Sequence, residues 1–187
     1  SAFFTNHSVA RSSVGVIANL NRDLFDVTVY CFHVCKESAY YRKLEASGHR
    51  LVVLDDTGLE AAACDPARST QALIDHWADV LRKAALDVLV YCDLGMHEWS
   101  YLLAHRRLAP VQMTTWGHAE TSGIDTIDYF VSSALYELPY DDAQTHYSEQ
   151  LLLHQSLGTY YYDHYYAMYD AACADGFTLP EALQDPT

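Results

Sequence analysis

Several groups of side chains in this sequence have types and spacings that could do chemistry. His7 stands between Asn6 and Ser8, just before an apolar-periodic stretch that begins at Val9. The N–H groups and dipole of a helix amino terminus favour an anion such as a diphosphate there. The same residues also suit plain helix capping with a histidine close by. His97 and Glu98 open a His-Glu-x-x-His pattern, but the fifth position is Tyr101, so the second zinc ligand is lacking and a metalloprotease is excluded. Asp93 and His97 stand where a strand gives way to a helix, and three roles are open to them: binding a hydroxylated ligand, orienting one another, or capping the helix. Cys31, His33 and Cys35 alternate and would share one face of an extended strand, an incomplete set for a four-coordinate zinc site; no metal is expected. Tyr162, Tyr165, Tyr166 and Tyr169 follow helical spacing and would form one aromatic face. Such a face stacks on a sugar or base, or packs against another part of the protein, and packing is the more common use.

The elements that must position these residues alternate regularly. Residues 9–20 have a loosely amphipathic helical pattern that Asn6 or Ser8 could cap, and 25–32 form a β-branched and aromatic strand. A helix over 37–47 closed by Gly48 comes next, then a short apolar strand over 51–54. A helix over 69–86, a strand over 88–92, a helix over 97–107 and strands over 111–116, 129–133 and 151–153 complete the pattern. Strands without polar alternation, separated by helices, are the mark of a parallel sheet covered on both faces. The fold class expected is therefore α/β, doubly wound, with a mainly parallel Rossmann-like sheet. Ligands in that architecture bind at the carboxyl ends of the strands, which directs attention to residues 4–8, 93–97 and 116–123.

Composition narrows the partners. The 187 residues carry 11 Lys and Arg against 25 Asp and Glu, a formal charge of −14, so a nonspecific grip on nucleic acid is excluded. Half of the residues are hydrophobic, enough for one globular core. No membrane span is expected, because no run nears the roughly 18 apolar residues one requires. The five scattered cysteines fit a reducing, cytoplasmic setting. Neither Gly-x-Gly-x-x-Gly nor Gly-x-x-x-x-Gly-Lys-[Ser/Thr] occurs, which removes the common dinucleotide and P-loop fingerprints. Ser1-Ala-Phe-Phe4 reads as the tail of a buried strand, with an earlier start expected for the natural protein.

Five segments occur in a familiar order and spacing: Asp87-Val-Leu-Val-Tyr-Cys-Asp-Leu-Gly-Met96, Arg107-Leu-Ala-Pro-Val-Gln112, Thr115-Trp-Gly-His-Ala-Glu-Thr-Ser-Gly123, Ile127-Asp-Tyr-Phe130 and Tyr147-Ser-Glu149. Together they resemble the O-GlcNAc transferase and SPINDLY family, especially its bacterial and microbial members. Phe3-Phe-Thr-Asn-His-Ser-Val9 is similar to that family's Asn-His segment. The resemblance implies a GT-B fold, with two Rossmann-like lobes facing across a cleft, usually preceded by tetratricopeptide repeats. It further implies inverting, metal-independent transfer of a sugar from a nucleotide donor to Ser or Thr of proteins. Residues 1–158 resemble the first lobe, with its first strand truncated, and 159–187 a Tyr-rich segment and linker towards a C-terminal lobe.

On that resemblance His7 is the catalytic candidate, placed near the donor diphosphate and sugar, without being assigned as the base. Trp116, Gly117 and His118 would form the loop whose backbone lies beside the donor, completed by Thr121, Ser122 and Gly123. No cofactor is implied beyond the nucleotide sugar as co-substrate, with UDP-GlcNAc the favoured donor; the protein or peptide hydroxyl is the acceptor. Relatives with other chemistry move fucose from GDP, or glucose from UDP to Asn. A non-catalytic binding or scaffold domain is the alternative of a different class. One departure stands out: Gly117-His-Ala-Glu120 replaces the family's usual proline with alanine and adds a carboxylate beside an expected anion.

Overall fold

The computed structural model describes Phe4 and residues 7–33, 36, 38–55 and 66–161. The elements run α1 (Ser8–Ala18), β1 (Thr28–Cys31), α2 (Ala39–Ala46), β2 (Arg50–Val53), α3 (Pro66–Lys83), β3 (Val88–Tyr91), α4 (Glu98–Ala104), β4 (Val111–Thr115), β5 (Tyr129–Ser133), α5 (Tyr140–Gln144) and β6 (Gln150–His154). Every strand pair is parallel, as expected for strands joined by crossovers. The expected single sheet is instead two among the described residues: β1-β2, and β3-β4-β5-β6 in chain order. The chain is an α/β fold with the expected parallel strands, and none of its described helices is long and apolar enough to cross a membrane.

Local chemistry accounts for where the elements begin and end. The strand expected from Phe25 starts only at Thr28, because the N–H groups of Leu24 and Phe25 donate to the Asn21 carbonyl at 3.1 and 2.9 Å and wind the chain into a turn. Phe25 is left 51% exposed, so an aromatic side chain that reads as strand is spent on the surface. Gly48 ends α2 with φ +74°, a left-handed conformation that glycine adopts without a Cβ penalty. Helix α5 is five residues long, following Pro139, too short to leave a periodic signal.

Helix α3 holds the larger core together. Ile74, Trp77, Ala78 and Leu81 fall on one helical face and are all buried against Phe32, Leu54, Tyr91 and Leu103. The Trp77 indole N–H donates to the Asp55 carbonyl at 2.8 Å, tying the helix to the end of β2. A second cluster, Phe4, Val14, Val29, Cys31, Tyr40 and Leu44, seats α1 and α2 on β1. Strand β4 departs from the apolar pattern, burying Gln112 and Thr114 inside the sheet. Gln112 is 0% exposed and fully engaged: its Oε1 accepts from the Leu108 N–H at 2.7 Å, and its Nε2 donates to the carbonyls of Arg106 at 3.1 Å and Thr126 at 2.9 Å. A buried amide satisfied in this way is tolerated in a core, and it staples the two connections flanking β4.

Candidate functional site

At the carboxyl edge of the four-stranded sheet, the turn after β3 and the turn after β4 interlock through two glycines. A Cβ on Gly95, which has φ +86°, would lie 3.1 Å from the His118 ring. A Cβ on Gly117 would lie 2.9 Å from the Cys92 carbonyl oxygen. The segments therefore approach as closely as they do because both positions lack a side chain. Asp93, only 1% exposed, sits in the first of these turns, and its carbonyl accepts from the Met96 N–H at 3.0 Å. Trp116 continues the ladder by donating its N–H to the Val131 carbonyl at 3.2 Å, and its ring meets Tyr136 edge-on at 5.9 Å.

His97 is the residue preceding α4, and its side chain makes no capping bond to that helix. Its ring instead stacks on Phe32 at 5.3 Å, and Phe32 in turn contacts Trp77 at 5.0 Å. Burial against these rings pushes the imidazole pKa below its ordinary value, and the nearby Asp93 carboxylate only partly reverses this. Of the three roles open to the pair, the structure brings Asp93 and His97 into electrostatic contact and gives the capping role no side-chain bond. His7 does cap: its Nδ1 accepts the Val9 N–H at 3.2 Å at the start of α1, and the Ser8 hydroxyl lies 3.4 Å from the same nitrogen. One N–H of the first turn is thus already taken by the imidazole. Asn6 lies outside the described residues, as do Cys35 and the tyrosine face at 162–169. Strand β1 ends at Cys31, so the expected strand-like alternation does not carry through to His33.

The remaining loop residues go elsewhere. The β4–β5 connection contains no helix and must return from the carboxyl to the amino edge of a parallel sheet. Thr121 and Ser122 lie on that return path, bound to Glu149, the residue before β6. The Thr121 hydroxyl donates to Glu149 Oε2 at 2.6 Å, and the Ser122 N–H donates to Oε1 at 2.8 Å. The Ser122 hydroxyl bonds the same Oε1, and the Ser148 N–H donates to Thr121 Oγ1 at 3.0 Å. Burial raises the Glu149 pKa, but the bonds from Ser122 and Thr121 outweigh it and hold the carboxyl below the ordinary carboxylate range. The structure therefore groups Trp116, Gly117 and His118 with Asp93 at one edge, and ties Thr121 and Ser122 to the start of β6. Gly123, with φ +64°, turns the chain in between, with no other atom within 4 Å of where its Cβ would be.

Two organising residues, Gln112 and Glu149, carry no expected role. The available signal was a polar side chain inside, or at the mouth of, an otherwise apolar strand, a placement that demands buried partners. Chemically, the carboxyl edge offers close backbone approach at Gly95 and Gly117, two imidazoles in His97 and His118, and a buried carboxylate in Asp93. That set suits a polar ligand held by main-chain groups. No group of three His, Cys, Asp or Glu side chains among the described residues is placed to hold a metal ion.

No protein-family model matches the chain, and no curated protein does. Among solved structures, the chain is similar to a Thermobaculum terrenum O-GlcNAc transferase, the K341M mutant, with a TM-score of 0.64 and 22% identity over 85% of this chain. The match takes in 27% of that protein, so the chain spans about a quarter of its length. At this identity the likeness is one of fold alone: the parallel α/β arrangement is similar to that of part of the Thermobaculum terrenum protein.

Proposed function

We propose that this chain is a nucleotide-sugar-binding lobe of an inverting, metal-independent glycosyltransferase that moves N-acetylglucosamine from UDP-GlcNAc to Ser or Thr hydroxyls of proteins. The observation that carries this reading is the interlock of Gly95 with His118 and of Gly117 with Cys92 at the carboxyl edge of a parallel sheet. Open α/β sheets bind ligands at that edge, and a backbone bare of side chains lets main-chain N–H groups reach a diphosphate. In transfer, negative charge grows on the leaving diphosphate, and fixed N–H dipoles stabilise it without reorganising. His7, at the start of α1, would lie beside the donor as a proton-handling or positioning group. A second lobe would complete the nucleotide site, tetratricopeptide repeats would present the acceptor, and the setting would be the cytoplasm. Glu120 is exposed beside the loop. Its carboxylate opposes an anion and is expected to weaken the donor's hold.

Saturation-transfer NMR with UDP-GlcNAc on the 187-residue chain tests the donor site directly. Saturation of uridine and N-acetyl protons is expected, competed by UDP, and lost in Gly117→Ala, whose Cβ would collide with the Cys92 carbonyl. GDP-fucose competing better than UDP-GlcNAc would move the reading to the fucosyl branch. No transfer to any nucleotide sugar at millimolar concentration, or an unchanged signal in a folded Gly117→Ala, would overturn it in favour of a scaffold domain.

A further inference from the structure

Between β5 and α5 the chain turns its side chains the wrong way round for folding. The connection Ala134-Leu-Tyr-Glu-Leu-Pro139 leaves the carboxyl end of β5, and Tyr140 opens α5. Leu135 and Leu138 are 63% and 56% exposed, and Tyr136 and Tyr140 are nearly half exposed. The polar side chains turn inward instead. Ser132 and Ser133 are buried, and the Glu137 carboxylate accepts the Ser132 hydroxyl at 2.6 Å and the Tyr147 hydroxyl at 2.8 Å. Main-chain bonds fix the turn. The Ser133 carbonyl accepts the N–H groups of Tyr136 and Glu137 at 3.3 and 3.1 Å, and the Ser133 hydroxyl oxygen accepts that of Leu135 at 3.1 Å. The Ala134 N–H donates to the His154 carbonyl at 2.9 Å. A connection that engages its carboxylate inside and holds four large apolar side chains outside is a contact surface rather than scattered exposure.

The displayed loop is continuous with the turn after β4, because Tyr136 meets the Trp116 ring edge-on at 5.9 Å and Trp116 adjoins Gly117. Charge selects the kind of partner. All 11 Lys and Arg lie between Arg11 and Arg107, whereas Leu108 to Tyr161 hold seven Asp and Glu and no Lys or Arg. Asp128, Glu137 and Glu149 are bonded within the fold, which leaves Glu120, Asp125, Asp141 and Asp142 as exposed carboxylates. Asp141 and Asp142 follow the loop directly, and Glu120 stands in the turn of Trp116. Burial pushes the Tyr136 phenol above its ordinary pKa; a bond from Ser132 opposes this and the Glu137 carboxylate adds to it. The rings thus lie in a negative field, which favours a cation on their faces. We propose that the 134–140 loop, together with Trp116, is a docking surface for a basic polypeptide segment of another protein. Arg or Lys side chains of that segment lie on the Tyr136 and Trp116 rings, and its apolar side chains lie against Leu135 and Leu138. Other occupants fail on charge: a second copy brings the same formal charge of −14, and nucleic acid or an anionic membrane brings negative charge too. Docking needs no nucleotide sugar; only naming the segment as the acceptor rests on the proposed function.

Fluorescence anisotropy of the labelled peptide Gly-Arg-Lys-Leu-Ser-Arg-Lys-Leu-Gly, titrated with the whole chain and no nucleotide sugar, tests the surface. Saturable binding is expected, and none for the same peptide with Glu in place of every Arg and Lys. Tyr136→Ala should weaken binding about fivefold, and Leu135→Ser with Leu138→Ser about tenfold. Asp141→Asn with Asp142→Asn should weaken it about threefold. Asp23→Asn with Glu45→Gln removes the same charge from exposed positions around α2 and the α1–β1 connection, and should change it less than about twofold. Circular dichroism and urea melts check that each variant is folded. Binding that the loop variants leave unchanged is general attraction to an acidic protein and would overturn the proposal, as would equal affinity for the Glu peptide. So would a dimer in light scattering that the loop variants dissociate, which would make a second copy the occupant. No peptide binding by a chain that still shows saturation transfer from UDP-GlcNAc would sink the docking surface alone. Peptide binding without that transfer would leave it standing and sink the donor reading.

Discussion

Replacing Glu149 should loosen a whole connection rather than one side chain. The carboxylate is 2% exposed and receives the Thr121 hydroxyl at 2.6 Å, the Ser122 N–H at 2.8 Å and the Ser122 hydroxyl as well. Hydrogen bonds to a charged group contribute about 1.5–3 kcal/mol each, but Thr121 is exposed and can turn to water. Glu149→Ala is therefore expected to cost about 3–4 kcal/mol, and Glu149→Gln about 1–2 kcal/mol, since the amide keeps one acceptor and turns a donor towards a donor. Urea unfolding at pH 7 measures both. The pH dependence supplies a separate check. Because the folded pKa is depressed, the charge contributes its full stabilisation above the unfolded carboxylate value of about 4.3, and loses it as pH falls through the lower folded value. The gap between wild type and Glu149→Gln should accordingly close on acidification through that window. A cost below about 1 kcal/mol for Glu149→Ala, or a gap independent of pH, would refute the idea that this carboxylate anchors the β4–β5 connection.

Other outcomes follow from the same geometry. Gln112→Leu strands the Leu108 N–H and the carbonyls of Arg106 and Thr126, and should cost about 2–4 kcal/mol in thermal or urea melts; a neutral result would mean that water replaces the amide. His7→Ala removes a helix cap and should cost about 1 kcal/mol, whereas His7→Ser restores a cap and most of that stability. If His7 also touches the donor, both variants weaken UDP-GlcNAc binding alike; donor affinity that follows stability would leave His7 with the cap alone. His97 should titrate below the ordinary histidine value in NMR, and lower still in Asp93→Asn, which removes the charge that favours its protonation. Its depressed folded pKa makes stability fall as pH drops below about 6.5, the unfolded value, until the ring protonates in the native state as well. An upward shift in Asp93→Asn would contradict the assigned coupling.

Much of the fold is legible in the residues because apolar, β-branched runs such as Val88-Leu-Val-Tyr91 form strands, and one-sided burial writes helical spacing into α3. What the pattern misses is set by polar contacts between distant segments. Phe25 has strand chemistry, yet the Asn21 carbonyl captures its N–H and delays the start of the strand to Thr28. Gln112 looks like an interruption of β4 and is instead its best-satisfied side chain. The candidate site is half legible. Strand ends and glycines predict where loops gather, but no spacing rule says that Gly117 meets Cys92 while Ser122, a few residues on, is pulled to Glu149.

The segments that carry the sequence resemblance are joined to each other in space, and mostly not at the expected ligand edge. Arg107 grips Asp128 with two bonds, at 2.5 and 3.0 Å, and Asp128 also accepts the Gln112 N–H at 2.7 Å. Tyr147 packs on Phe130 at 4.5 Å, and Thr121 and Ser122 bind Glu149. Each of these links fixes the amino ends of β4, β5 and β6 or the path leading to them. A chain can keep such links and so keep the fold whatever happens at the opposite edge, where Gly95, Gly117, His118 and the exposed Glu120 sit. The motifs therefore argue for architecture more strongly than for chemistry. On the proposed function, substitutions between Asp93 and Met96 and between Trp116 and Glu120 should change nucleotide-sugar binding while leaving the linked amino edge, and hence the fold, intact.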